Sequence, residues 1–438
     1  MELFIHPPRD TWNSITARPV FENEALELTV KDILKQVKTR GDEALLEYTR
    51  AFDNPNSTNI AVSPDEIAAA ESYISEDLKH AIATAIKNIT TFHARQEEIP
   101  SVTETQYGVK CWRKSIAIEK VGIYIPGGTA PLFSTVLMLA IPAKLAGCKE
   151  IILCTPEGKS GHIHPAILYA AQKTGVTSIY KIGGAQAIAA MAYGTETVPL
   201  VYKIFGPGNQ YVTKAKMLVN AEGVAIDMPA GPSEVMVVAD ETAHPSFIAA
   251  DLLSQCEHGS DSQAILLTHS QTIAEQTLAE VEKQLETLSR KNLAESSTKN
   301  SKIIVLPNQQ DIIDFMNDYA AEHLILSVEN AFQFSKHVKN AGSVFLGNFS
   351  PESVGDYASG TNHTLPTNRY AKAYSGVSLD SFVKKITFQE ITQEGLQGIG
   401  PIVETLAMAE SLDAHKHAVS IRLQYIAQQK NKPNEHII

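Results

Sequence analysis

The sequence predicts an α/β protein: two domains built on parallel sheets, followed by a helical C-terminal arm. Three observations carry this. From Ile118 to Asp240, short apolar runs (VGIYIP, EIILCTP, SIYKIGG, VYKIFGPG, EVMVVAD) alternate with helical stretches such as PLFSTVLMLAIPAKLAG and HPAILYAAQKTG. That alternation is the pattern of strand–helix–strand units, which close into a parallel, right-handed sheet. A second passage of the same kind runs from Pro245 to Leu346, with SQAILLT, KIIVLP and SVFLG as its strand-like runs. After Ser381 the pattern is helical with no strand signal, and TLAMAESLDAHKHAVSIRLQYIAQQ is too polar along one side for a buried core helix.

Ahead of the first sheet, residues from about Ala25 to Gln106 alternate helical patterns with short turns. SPDEIAAAESYI opens with a serine N-cap, a proline at the first helical position and acids in the first turn. The two sheet passages read as stacked Rossmann-like halves, and the tail as an arm that needs a partner. No repeat of solenoid period and no low-complexity segment interrupts them.

A chain of 438 residues has room for about three domains at roughly 150 residues each. Hydrophobic residues at 44% and charged residues at 20% exclude disordered and fibrous classes. A net charge of −12 speaks against nucleic acid as a partner, because a phosphate-binding face needs a clustered positive field. The most apolar stretch, VLMLAIPAKLAGCKEIIL, is broken by Pro142, Lys144, Lys149 and Glu150, so no membrane span is expected. MELFIHPPRD lacks the charged-then-apolar progression of a secretory signal, and a cytoplasmic location is expected. Cys111, Cys148, Cys154 and Cys256 form no CxxC pair, which leaves neither a disulfide framework nor a thiolate zinc site.

Chemistry concentrates at a few places. The turns IPGGTAP, KIGGAQA and FGPGNQY each follow a strand and precede a helix, where glycine permits close backbone approach and a helix N-terminus favours anions. Singly, each is ordinary loop chemistry; three at successive strand ends mark where an open parallel sheet binds its ligand. None matches GxGxxG, and no acid follows the first at the usual distance. Gln186 and Asn209 add amides suited to ribose or phosphate edges.

FIAADLLSQCEHGSDS reads as a helix ending at Gly259, with Gln255 and His258 on one face of its last turn. Such a pair is a metal site only if other ligands converge, and the candidates are Asp356 and His363 in SPESVGDYASGTNHTLPT, then His415 and His417 in the arm. In NDYAAEHLIL, Glu322 and His323 are placed near the end of an amphipathic helix with Ile312, Phe315, Met316 and Tyr319 as its apolar face. An acid beside an imidazole can divide two proton transfers. Cys256 is expected to be a buried structural thiol, turned away from Gln255 and His258.

Taken together, VGIYIPGGTAPLFSTVLM, GGAQAIAAMAYGT, FGPGNQYVTKAK, IDMPAGPSEV, DLLSQCEHG, AAEHL, GDYASGTNHTLPT and SLDAHKHAV resemble the histidinol dehydrogenases, from about Ala25 to Leu423. The resemblance implies oxidation of L-histidinol to L-histidine through histidinal, with two NAD and one zinc ion per subunit, in the last two steps of histidine biosynthesis. It implies zinc held by Gln255, His258, Asp356 and His415, the motif selecting His415 over His417. It implies NAD contacts from Tyr124, Gln186 and Asn209. Substrate contacts would come from Ser233, His363 and Glu410 together with the four zinc ligands, with Glu322 and His323 transferring protons. It also implies a homodimer whose arm crosses to the neighbouring subunit. The organisation expected is an N-terminal segment (1–20) packing with the C-terminal region, a discontinuous first α/β domain (21–120 and 236–380), an NAD-binding second domain (121–235) and a dimerisation arm (381–438).

Overall fold

The computed structural model describes residues 1–18, 24–127, 130–158, 161–229 and 231–430. Pro19 and Val20 of the N-terminal segment, Gly128 and Thr129 of the first glycine-rich turn, Ala230 of IDMPAGPSEV and residues 431–438 of the arm lie outside the described residues. The chain forms two compact units: Met1–Gln96 with Ile118–Phe382, and Glu97–Ala117 with Val383–Ile438.

The strands, in chain order, are β1 (Glu2–Ile5), β2 (Thr103–Gln106), β3 (Val109–Ala117), β4 (Lys120–Tyr124), β5 (Glu150–Cys154), β6 (Ser178–Tyr180), β7 (Lys203–Phe205), β8 (Ala225–Ile226), β9 (Glu234–Ala239), β10 (Gln263–Thr268), β11 (Lys302–Val305), β12 (His323–Ser327), β13 (Ser343–Leu346) and β14 (Val383–Ile391). Among the described residues they make three sheets.

Two of these sheets, both parallel, lie in the first unit. One has the order β6-β5-β4-β7-β8, the other β1-β11-β10-β9-β12-β13. The protein is thus an α/β fold of two Rossmann-like sheets, in each of which the strand order reverses beside its first strand in the chain, β4 or β9, once the added edge strand β1 is set aside. The apolar runs follow from burial on both faces. Ile151 and Leu153 of β5 enter one core cluster, and Ile152 and Cys154 the cluster on the opposite face. Val235 and Val237 of β9 likewise separate from Met236 and Val238. The N-terminal segment, expected against the C-terminal region, extends the second sheet through the pairs Glu2↔Lys302 to Ile5↔Val305.

Ser63 N-caps the helix Pro64–Ala70 with a complete capping box to Glu66. The helix Phe133–Ala146 is apolar all round because it packs on the helices Glu76–Ala94 and Pro165–Thr174 as well as on the first sheet.

Three expectations about local structure are corrected. Val383–Ile391, read as helical arm, is β14, paired antiparallel along its whole length with β3, while β2 and β3 form a hairpin at the end of the supposedly helical lead-in. The strand is set by a partner far away in the sequence, which local periodicity does not register. The helix carrying Gln255 stops at Cys256, so His258 lies beyond its end. Glu322 and His323 are not on a helix either: Gln309–Tyr319 ends at Ala320 in the left-handed conformation (φ 54°), and His323 opens β12.

The second unit holds β14-β3-β2 and the helices Gln393–Ala409 and Asp413–Lys430, which pack on each other. Among the described residues no helix is long and apolar enough to cross a membrane.

Candidate active site

The first unit encloses a cavity of about 620 Å³ bordered by the carboxyl ends of β4 and β7 and the amino ends of β9 and β12. Asn209, Ser233, Gln255, His258, Glu322, His323, Asp356 and His363 all line it.

At the carboxyl ends, β4 and β7 meet where the strand order of the first sheet reverses, the place where such sheets leave a crevice. Tyr124 closes β4, and its hydroxyl accepts the Gly184 N–H at 3.0 Å. Gln186 is buried on the helix Gly184–Tyr193. Asn209 caps the helix Gln210–Ala221, its carbonyl oxygen accepting from Tyr211 and Val212 N–H at 3.1 and 3.2 Å. Of these three, Asn209 lines the cavity, while Tyr124 and Gln186 are buried and do not line it.

Gly206, after β7, has φ 124°, and a Cβ there would lie 2.1 Å from the Tyr124 carbonyl oxygen, so this close approach requires glycine. The turn is held from both ends. Asp227 accepts the Gly206 N–H at 2.9 Å and pairs with Lys216, whose ammonium donates to the Gly206 carbonyl at 2.9 Å. Sequence reasoning missed Lys216 and Asp227; each stands inside a motif it quoted, yet nothing local says that they meet.

At the amino ends, Glu322 Oε2 accepts the Glu234 N–H at 2.8 Å. His323 Nδ1 lies 3.3 Å from the Glu234 carbonyl oxygen, and its Nε2 lies 3.2 Å from Asp356 Oδ1. His363 donates through Nδ1 to the Asp356 carbonyl at 2.8 Å, and its Nε2 meets the Thr135 hydroxyl at 3.0 Å. The Gln255 amide satisfies both its ends when its oxygen accepts from Glu234 N–H and its nitrogen donates to Glu352 Oε1, each at 3.2 Å. Glu352 is a third residue that sequence reasoning missed.

Burial pushes the Glu322 carboxyl above its ordinary range, and it raises Glu352 to about 7. Burial alone would lower His323, but the carboxylates of Glu322, Asp356 and Glu352 outweigh it and favour the protonated ring. Burial would raise Asp356, yet the hydrogen bond from His323 holds it below the usual carboxylate value. His258 keeps a surface open to the cavity while protein crowds its ring, and the crowding lowers its pKa, as burial does for His363.

Gln255, His258 and Asp356 all line the cavity and offer two oxygens and a nitrogen, a donor set suited to zinc. Three carboxylates, of Glu322, Glu352 and Asp356, face one imidazole, and Glu352 Oε2 is buried without a hydrogen-bond partner. This crowding of carboxyl groups with too few basic partners suits a bound cation. Among the described residues no three His, Cys, Asp or Glu side chains stand in metal-binding geometry. Glu410, His415 and His417 lie exposed in the second unit, at and after the end of the helix Gln393–Ala409, and do not line this cavity.

The histidinol dehydrogenase family profile matches residues 16–423. The chain is 58% identical over 426 residues to a histidinol dehydrogenase of Bacteroides fragilis, covering 97% of this chain and all of that one. It is 50% identical over 429 residues to the Escherichia coli K12 enzyme, covering 95% and 98%. The crystal structure of histidinol dehydrogenase from Elizabethkingia anophelis superposes with a TM-score of 0.95 at 57% identity, over 98% of this chain and 99% of that one. With this fold and this cavity, the chain belongs to the histidinol dehydrogenase family, NAD-dependent enzymes of histidine biosynthesis.

Proposed function

We propose that the protein oxidises L-histidinol to L-histidine through histidinal, using two NAD in succession and one zinc ion per subunit, in the cytoplasm. The observation that carries this reading is the buried pair Glu322 and His323 on the cavity wall, each held by a main-chain group of Glu234 and each facing the same space as Gln255, His258, Asp356 and His363. When bound, zinc would supply a Lewis-acid template for the amino and imidazole nitrogens of the substrate, and NAD a hydride acceptor. Gln255, His258 and Asp356 would hold the metal from one subunit, and His415 from the arm of a second copy.

The chain's own residues then divide the proton work. The Glu234 carbonyl fixes the ring of His323 through Nδ1. In the neutral ring, Nε2 would take the hydroxyl proton of histidinol. The aldehyde must be hydrated before a second hydride can leave, and Glu322 takes the proton from that water. Ser233, His363 and Glu410 orient the substrate. Tyr124, Gln186 and Asn209 seat the cofactor at the carboxyl ends of the first sheet, with the turn at Gly206 between them. Retaining a reactive aldehyde in the cavity while the cofactor exchanges prevents its loss.

The partner is a second copy of this chain. The helices after β14 leave Ile402, Leu406, Met408, Ile421 and Tyr425 exposed, apolar side chains that a second copy could cover. The test is a stoichiometric assay. Two NADH per histidinol, abolished by a chelator and restored by zinc, supports the reading; one NADH per histidinol, or turnover indifferent to the metal, defeats it.

A further inference from the structure

Glu234 opens β9, and its main-chain groups stand between the two proton-transfer residues. Its N–H donates to Glu322 Oε2 at 2.8 Å, and its carbonyl oxygen meets His323 Nδ1 at 3.3 Å. One residue therefore sets the position of both. Its own side chain is 2% exposed and does not line the cavity.

The Glu234 carboxylate is gripped on both oxygens. Arg18 reaches Oε1 through Nε and Oε2 through Nη2, the latter at 2.8 Å, and the Asn368 N–H donates to Oε1 at 2.9 Å. The Arg18 side chain, 7% exposed, also donates to the Tyr319 carbonyl at 2.9 Å and lies 4.0 Å from the centre of the Tyr319 ring. Tyr319 ends the helix that leads into Glu322, and Asn368 follows His363 on its loop. The Arg18–Glu234 pair thus ties together the start of β9, the approach to β12 and the His363 loop, with Arg18 placed 216 residues away from Glu234 in the chain.

We propose that Arg18 is a positioning residue for the reaction: by clamping the Glu234 carboxylate it fixes the peptide groups of Glu234, and through them Glu322 and His323. The proposal rests on the reading of Glu322 and His323 as the proton-transfer pair. Glu234 is the first residue of the β9 ladder: it pairs with Gln263 of β10, while the pairing of β9 with β12 begins one residue later, at Val235. At this strand end the clamp adds a restraint through the side chain. Removing the guanidinium leaves a buried carboxylate without its counter-charge, which must draw in water or turn away and carry its peptide with it. Lysine places one point charge where the fork spans two oxygens.

The test is single-turnover kinetics on Arg18→Met, Arg18→Lys and Glu234→Gln, started separately from histidinol and from histidinal, with metal content and folded fraction measured. Loss of the clamp displaces both bases, and a displacement of about 1 Å costs up to about 10²-fold. Arg18→Met is expected to lower the rate constants of both half-reactions by about 10- to 100-fold at unchanged amplitude, with Arg18→Lys intermediate. A residue that only holds the fold together would lower the amplitude, through the folded fraction, and leave the rate constants alone. That result, or rate constants of the parent enzyme in Arg18→Met, overturns the proposal. If Arg18→Met does not fold, Arg18→Lys and Glu234→Gln carry the same test. Glu322→Gln and His323→Asn at full rate would overturn the assignment of the pair, and this proposal with it.

Discussion

Glu322 Oε2 and His323 Nδ1 stand 3.7 Å apart, too far for a hydrogen bond although the residues are adjacent in the chain. Each has its own anchor: Glu322 on the Glu234 N–H, His323 on the Glu234 carbonyl and on Asp356. Two groups that do not share a proton can serve separate steps. Glu322→Gln is expected to slow histidinal oxidation more than histidinol oxidation, and His323→Asn the reverse, each by about 10²–10⁴ in the affected step. Single-turnover assays from each substrate measure the contrast. Equal losses in both steps for both variants would show that the pair acts as one unit.

Cys256 is fully buried, its Sγ 3.7 Å from the Ser301 hydroxyl, and it does not line the cavity. Burial raises its pKa, the opposite of what a nucleophilic thiol requires. Cys256→Ala should therefore keep both half-reactions within about threefold of the parent enzyme. A selective collapse of histidinal oxidation in the folded variant would point to a covalent thiohemiacetal instead.

What the sequence made legible follows the physics of burial. Strands covered on both faces become runs such as EVMVVA and QAILLT, and the serine of SPDE forms the cap its spacing promises. Long-range pairing is where local reading stops. Val383–Ile391 is a strand because Val109–Ala117 lies beside it, and the turn after Tyr319 sets Glu322 and His323 at a strand's start rather than a helix's end. The Arg18–Glu234 and Lys216–Asp227 pairs carry no local signature at all. Gln255, His258, Asp356 and His363 do meet in one cavity, whereas Glu410 and His415 enter the site only through the family resemblance.

The metal assignment predicts two results. Exhaustive chelation, verified by elemental analysis, should abolish turnover, and His258→Asn should retain little zinc. If His415 completes the site of a second subunit, mixing inactive His258→Asn and His415→Asn proteins should restore activity, because one site of each mixed dimer then carries both intact residues. Mixed subunits that exchange, as judged by a tagged copy, and stay inactive would place His415 in its own subunit's site.

The turn at Gly206 offers a test of the cofactor seat that leaves the proton-transfer residues untouched. Its φ of 124° lies where residues with a side chain are strained, and an added Cβ would sit 2.1 Å from the Tyr124 carbonyl oxygen. Strain of this kind costs roughly 1–3 kcal/mol, and the clash adds to it. The backbone can relieve the clash only by moving β7's end away from β4, which opens the crevice beside Asn209 and pulls on the Lys216–Asp227 pair. Gly206→Ala should thus lower the urea midpoint of unfolding and raise KM for NAD by about tenfold or more, with a much smaller change in KM for histidinol. Because Glu322, His323 and Asp356 stand at the other sheet, the pH profile of kcat should keep its shape. An unchanged KM for NAD in a folded Gly206→Ala protein would mean that the cofactor does not use this turn, and the seat would have to be sought elsewhere along the first sheet.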